Sequence, residues 1–280
     1  MYKILILGAS GLLGKSLVDY FVFNNFKVGA LSRTYAETKN ELVNSYAINV
    51  LDYDHLEAVI AEYDVVVNCI GQVTNPINGC VVLNSLGMKN IIDAVKKHDS
   101  YLIHFSTVSV YGNSPYVTED SPVNPETTYA TIKYFAEFQI CQSLENFTIL
   151  RVSNLYGKGQ TKGILGYISR SYYENKKEIF FNNDGSLKRY YLHIDDLSAI
   201  VETILTNRLK VIYNVIGNDF LTIKQLVTLF ERIFNYSFSI SYEPKKPIEN
   251  IENIDNSKVI DAIAHSFKND VESYLKGIEK

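Results

Sequence analysis

The stretch Ile4-Leu5-Ile6-Leu7-Gly8-Ala9-Ser10-Gly11-Leu12-Leu13-Gly14 decides the fold. An aliphatic run reaches a glycine and two more glycines follow at three-residue spacing; a segment of helical periodicity then opens at Leu12. A strand that turns sharply into a helix needs glycine at these places. Glycine permits the tight turn, lets backbone approach a ligand, and lets the helix pack on the strand. The first helical N–H groups, with the positive end of the helix dipole, then face the turn and suit a pyrophosphate. Gly8, Ser10, Gly11, Leu12, Leu13 and Gly14 are therefore candidate dinucleotide-binding residues.

Outward from this loop the chain alternates short aliphatic runs with helical patterns. Strands are predicted at Lys3–Leu7, Lys27–Leu31, Asp64–Asn68, Tyr101–Phe105 and Thr148–Val152, with a less apolar one near Tyr46–Ile48. Most are apolar throughout, as in parallel sheets covered on both faces. Helices are predicted at Leu12–Phe23, Leu56–Glu62, Cys80–Lys97 and Thr128–Glu145. This rhythm predicts an α/β fold with a doubly wound parallel sheet. It breaks after Gly157, where Gly157, Gly159, Gly163 and Gly166 crowd a loop and helix start. A later strand, Val211–Ile216, precedes a helix starting near Thr222. Residues 1–157 read as a dinucleotide-binding domain, rejoined by about 190–216. Residues 158–189 and 217–280 read as a small C-terminal substrate-binding cap.

Composition bounds the rest. The 280 residues are 46% hydrophobic with a net charge of −4, which gives no basic surface for nucleic acid or an acidic membrane. Cys69, Cys80 and Cys141 are an odd set without CxxC spacing, so neither a disulfide framework nor a zinc knuckle is expected. A reducing, cytoplasmic location is the simplest expectation. The apolar run before Gly8 is too short for a signal peptide, and no segment approaches the ~20 residues that span a bilayer. His55, His98 and His265 form no ligand set, and no metal is expected. His104 and His193, beside apolar strand residues, read as structural. Cys69 reads as core, and Asp195 and Asp196 as the cap or start of a helix.

Three further features carry chemistry. Ser32-Arg33 ends the second strand, where an NAD binder commonly places an acidic residue on the ribose. Arg33 can accommodate a 2′-phosphate and Ser32 can donate to it, so NADP(H) is the preferred expectation, with NAD(H) possible. Tyr129 and Lys133 form a YxxxK pair, one turn apart on one helix face. A free tyrosine has a pKa of about 10. A neighbouring ammonium favours its phenolate and makes it a usable acid or base. Lysine can also bond the nicotinamide ribose. Finally, the strand at Tyr101–Phe105 runs into Ser106-Thr107-Val108-Ser109, which places a hydroxyl where ligands bind in such sheets.

These residues together resemble the extended short-chain dehydrogenase/reductase superfamily, in its nucleotide-sugar epimerase/dehydratase branch. Gly8–Gly14 is similar to the family's glycine loop, Phe105–Gly112 to its strand end finishing in V-Y-G, and Tyr129–Lys133 to its catalytic helix. Leu150-Arg151-Val152-Ser153-Asn154-Leu155-Tyr156-Gly157 resembles "LRxxNxYG". Gly185–Leu197 and Tyr213–Gly217 resemble two further family segments. The resemblance covers nearly the whole chain and implies a Rossmann-type sheet. It implies Thr107 as the catalytic hydroxyl rather than Ser106 or Ser109, Tyr129 as acid/base and Lys133 as its partner. Asn49 and Val50 are implied at the adenine, Ile70 and Gly71 along the cofactor, and Asn84 in support of the active-site region. Val152 is implied on the nicotinamide side, Asn154 toward substrate, and Arg189 on the diphosphate of a nucleotide-diphosphate sugar. It further implies a homodimer built on the helices at Cys80–Lys97 and Thr128–Glu145.

Within that branch, dehydration needs an Asp-Glu pair after the catalytic hydroxyl, and here Val108 and Ser109 follow Thr107. The combined epimerase–reductase uses a cysteine where Ser109 stands. A reductase acting on an NDP-4-keto-6-deoxyhexose is the leading expectation, from Ser32-Arg33 and from the short segment after Gly217. A 4-epimerase with tightly held NAD is the alternative, and a reductase of a non-sugar carbonyl a further one. A non-catalytic dinucleotide sensor on the same fold typically loses the YxxxK pair, which this chain keeps.

Overall fold

The strand-forming runs assemble largely as expected. The structure is a computed structural model and describes residues 2–34, 40–71, 76–208, 210–243, 250–263 and 267–278; His265 lies outside them. A seven-stranded sheet takes β1 (Ile4–Leu7), β2 (Val28–Ser32), β3 (Val43–Ala47), β4 (Val65–Asn68), β5 (Tyr101–Thr107), β7 (Phe147–Val152) and β11 (Val211–Val215), in the order β11-β7-β5-β4-β1-β2-β3. The pairings β2–β3, β1–β2, β1–β4 and β4–β5 are parallel. Every residue of β1, β4 and β5 is buried, which is why these runs are apolar throughout. From β1 the chain first winds outward to β2 and β3, then crosses to β4 on the other side. Ligands bind such sheets at this reversal, outside the carboxyl ends of the strands.

Helices α1 (Leu12–Phe23), α2 (Tyr53–Ile60), α3 (Ile77–Val82), α4 (Met88–His98) and α5 (Thr128–Ser143) flank the sheet. α2 starts three residues before the predicted Leu56. Its buried face is Leu56, Val59 and Ile60, so its polar first turn leaves no apolar signal. The predicted helix Cys80–Lys97 is interrupted by a π turn at Leu83–Gly87.

The chain folds as two compact units. The first holds Met1–Val110, Thr127–Arg151 and Ser198–Tyr213; the second holds Tyr111–Glu126, Val152–Leu197 and Asn214–Lys280. The core of the first includes Leu5, Leu7, Leu31, Val66, Met88, Leu102 and Ile149. In the second, β8 (Asn154–Tyr156), β10 (Lys188–His193) and β12 (Asp219–Thr222) form one small sheet. β9 (Glu178–Phe181) pairs with β13 (Ser239–Tyr242), and β6 (Ser114–Val117) pairs with β14 (Ile251–Ile254). The β6–β14 pairing explains why Tyr111–Glu126, inside the stretch read as dinucleotide-binding domain, belongs to the second unit. The helices α6 (Gly163–Tyr173), α8 (Ile223–Phe234), α9 (Ser257–Ile263) and α10 (Val271–Ile278) belong to this unit as well. Its core mixes aliphatic residues with the aromatic Tyr156, Phe181, Phe230 and Phe238.

Thr222 starts α8 with a full capping box to Gln225. Asp195 and Asp196 lie in the first turn of α7 (Ile194–Asn207). Asp196 is buried and accepts from the backbone N–H groups of Lys268 and Asn269.

Candidate active site

The glycine loop forms between β1 and α1. Gly8 N–H and Ala9 N–H both donate to the Leu31 carbonyl, at 2.8 and 3.0 Å, which binds the loop to β2. A Cβ on Gly14 would stand 2.3 Å from the Gly8 carbonyl oxygen, a contact with backbone that no side-chain motion relieves. The N-cap residue of α1 is Gly11, and no side chain caps the helix. Ser10 and Gly11 are exposed, and Leu12 and Leu13 are partly so. An exposed helix N-terminus with no side chain laid across it fits a pyrophosphate.

At the end of β2 the Ser32 hydroxyl is buried and donates to the Thr34 carbonyl at 2.6 Å. Its proton is used within the turn. Arg33 is exposed. After β3, exposed Asn49 accepts from Leu51 N–H through Oδ1, whereas Val50 is buried and its carbonyl accepts from Asn90.

After β4, Ile70 is partly buried and Gly71 adopts φ +113°. Asn84 lies in the π turn, buried, and its Nδ2 donates to the carbonyls of Gly71 at 3.0 Å and Cys80 at 2.9 Å. A Cβ on Gly71 would meet Asn84 Oδ1 at 2.4 Å. Asn84 therefore fixes the loop after β4 rather than standing open to a ligand. The Asn84 carbonyl in turn accepts from Gln139 of α5, at 3.0 Å. A π turn widens the helix at one point, and here it presents the amide that holds Gly71.

Thr107 ends β5 and is buried; its Oγ1 accepts from Ser109 N–H at 3.2 Å, a contact that does not use the hydroxyl proton. Ser106, the neighbouring hydroxyl, donates to Glu137 of α5. Glu137 also receives the Arg151 guanidinium, with Nη2 to Oε2 at 2.7 Å, and both partners are buried. Ser106 thus belongs to the scaffold. Thr127 caps α5, its side chain accepting from Ala130 N–H at 3.2 Å. Tyr129 is half-buried in the first turn that this cap fixes, and Lys133 is buried one turn on. Burial pulls the Lys133 ammonium down to about 8, against the opposing charge of Glu137.

Lys133 Nζ lies 3.2 Å from His104 Nε2. This contact escaped the reading of His104 as merely structural. The available signal was its place on the same strand as Thr107, three residues ahead in an otherwise apolar run.

In the second unit, Val152 is buried, and Asn154 on β8 is exposed and donates to the Tyr190 carbonyl at 3.3 Å. β8 runs parallel to β10 with Asn154 opposite Tyr191. Arg189, two residues before Tyr191, is half-buried and donates to the Lys188 carbonyl at 3.1 Å. Among the described residues no group of three or more His, Cys, Asp or Glu could hold a metal ion. No helix among them is long and apolar enough to cross a membrane.

Known proteins resemble this chain. A protein of Methanocaldococcus jannaschii named "Putative UDP-glucose 4-epimerase" is 31% identical over 221 residues, covering 70% of each chain. The methionine adenosyltransferase 2 subunit beta of Xenopus tropicalis is 25% identical over 249 residues, covering 83% of this chain and 72% of its own. The UDP-glucuronic acid 4-epimerase of Bacillus cereus, solved with UDP-glucuronic acid and NAD, superposes with a TM-score of 0.87 at 21% identity. That superposition covers 99% of this chain and 98% of the other, and shows a common fold. The model of the NAD dependent epimerase/dehydratase family matches residues 4–215, most of the chain and every element of the glycine loop and the YxxxK helix, and the chain belongs to that family.

Proposed function

We propose that the chain reduces the 4-keto group of an NDP-4-keto-6-deoxyhexose with NADPH. The observation that carries the choice of reductase is Arg33, an exposed cation at the end of β2 where an acidic ribose ligand would mark an NAD binder. Ser32 contributes nothing to the preference, because its proton is bound to Thr34. The bound nicotinamide supplies the hydride, and the residues Gly8–Gly14 with the α1 N-terminus hold its pyrophosphate. Tyr129 gives its phenol proton to the oxygen of the reduced carbon. Thr107 holds the same oxygen with its unused hydroxyl proton, and Arg189 offers a forked cation to the sugar nucleotide's diphosphate.

The reading is tested by NADPH oxidation against a panel of CDP-, dTDP-, GDP- and UDP-linked 4-keto-6-deoxy sugars. Turnover with one of them, with NADPH bound more tightly than NADH and that preference reduced about tenfold or more in Arg33→Ala, is expected. Silence across the panel removes the reductase; an unchanged preference in the variant removes the role of Arg33. The second reading is an NAD-retaining 4-epimerase, favoured by the identity with the Methanocaldococcus jannaschii protein. Stoichiometric NAD⁺ released on denaturing the purified protein would put it first.

The first unit would take a second copy of the chain as its partner. Ile77, Val81, Val82 and Leu86 of α3 and the π turn, with Phe135 and Phe138 of α5, are all exposed apolar side chains. The π turn and α5 are neighbours, joined through Gln139 and Asn84. Apolar side chains so grouped mark an interaction face. A dimer mass by light scattering is expected for the native protein and a monomer mass for Phe138→Glu. A monomeric native protein would end this proposal.

A further inference from the structure

β5 and α5 meet twice in register. His104 and Ser106 lie on one side of the strand; Lys133 and Glu137 stand one turn apart on the helix. His104 meets Lys133, and Ser106 meets Glu137. Both His104 and Lys133 are buried.

A backbone group fixes the orientation of the Asn68 amide beside this cluster. Ile70 N–H can only donate, so the Asn68 atom 3.0 Å from it is the amide oxygen. Asn68 Nδ2 therefore faces Met88 Sδ at 3.5 Å and His104 Nδ1 at 3.1 Å. An amide NH₂ only donates, so Nδ1 accepts through its lone pair. Burial holds the imidazolium form well below its ordinary range whatever the charge of Lys133, so the ring is neutral. A neutral ring that accepts at Nδ1 carries its one hydrogen on Nε2. That hydrogen points at Lys133 Nζ. An ammonium has no lone pair to receive it, whereas an amine has one.

We propose that His104, with its tautomer set by Asn68, is a positioning residue that holds Lys133 as the uncharged amine before the dinucleotide binds. The other groups facing Lys133 are Glu137 on its own helix, Cys80 on α3 and Cys69 after β4. Glu137 favours the ammonium, but its charge is shared with Arg151. Burial pushes the Cys69 thiol up, so it brings no anion. An uncharged Lys133 leaves the phenol proton of Tyr129 in place, as the proposed reduction requires; the state of Lys133 does not itself rest on that role.

Both halves are read on the cofactor-free protein without turnover. Long-range ¹H–¹⁵N correlation spectra, with His104→Gln identifying the signals, should show the hydrogen on Nε2 and a bare Nδ1. A hydrogen on Nδ1 overturns the proposal. The ¹³Cε shift of Lys133 should titrate below the value of about 8 that burial and nearby charges set. In Asn68→Asp the carboxylate draws the ring hydrogen to Nδ1 and turns the Nε2 lone pair toward Lys133, so the titration should move up by about one pH unit or more. Asn68→Ala, which frees the tautomer without adding charge, should move it in the same direction. A midpoint unmoved in both variants, or an ammonium that persists in the native protein well above pH 8, overturns the proposal. Activity that survives Tyr129→Phe would remove the role of the tyrosine and leave these signals as they are.

Discussion

Replacing Tyr129 with phenylalanine is expected to lower carbonyl reduction by about 10²–10⁴-fold while dinucleotide binding stays nearly unchanged. The ring remains, and the cap at Thr127 keeps the first turn of α5 in place. Only the oxygen that donates and takes back the proton is lost. The comparison is best made on single turnovers of bound NADPH with the sugar nucleotide that the panel selects, so that product release does not hide the chemical step. Thr107, Lys133 and the glycine loop still orient the reactants, which leaves residual turnover. A variant as active as the native protein would mean that Tyr129 does no proton chemistry, and a dinucleotide-sensing role would then lead.

The largest loss of stability is expected at Glu137. Its carboxylate accepts from Arg151 through both oxygens and from Ser106, and the whole group is buried. Glu137→Ala leaves the Arg151 cation buried without its counter-charge. Such a change costs about 3–5 kcal/mol and should lower the melting temperature by ~10 °C. The double variant Glu137→Leu with Arg151→Leu removes both charges and should recover most of the loss, because desolvating the pair offsets much of its attraction. An unshifted melting curve for Glu137→Ala would show that the ion pair is not a structural tie. The same lesion sits one helical turn from Lys133, so the double variant is also the proper background in which to ask whether the pair orients α5 for catalysis.

The central sheet was legible because its chemistry is local. Ile4–Leu7, Val65–Val67 and Tyr101–Ile103 are apolar without alternation, and the glycines at 8, 11 and 14 leave few other backbones. A helix start near Thr222 was legible as well, and the structure supplies its reason in the capping box to Gln225. Side-chain partnerships were less legible, since they depend on which strand lies beside which helix. Nothing in the run Tyr101–Thr107 says that His104 faces Lys133 while Ser106 faces Glu137; that follows only from β5 lying against α5. Ser32 illustrates the same limit. Its position at the end of β2 suggested a phosphate ligand, whereas its hydroxyl closes the turn onto Thr34. The small sheets of the second unit are short, and β6 finds its partner β14 more than a hundred residues away in sequence, so no pattern local to either one announces the pair.

The π turn at Leu83–Gly87 has a consequence for chain length. Cys80, Asn84, Met88 and Ile92 are all buried and recur at every fourth position, so the last lies twelve residues beyond the first. Three turns of α-helix use about 10.8 residues, and an unbroken helix would swing this series round its axis by ~120°. The wide turn absorbs roughly one residue of that excess. The segment thus works as two helices in different phase, one keyed to the Gly71 carbonyl and the other to the core under α4. Losing one residue between them would act as a rotation rather than a gap: the Asn84 amide would turn off Gly71 while the seam of α4 stayed where it is.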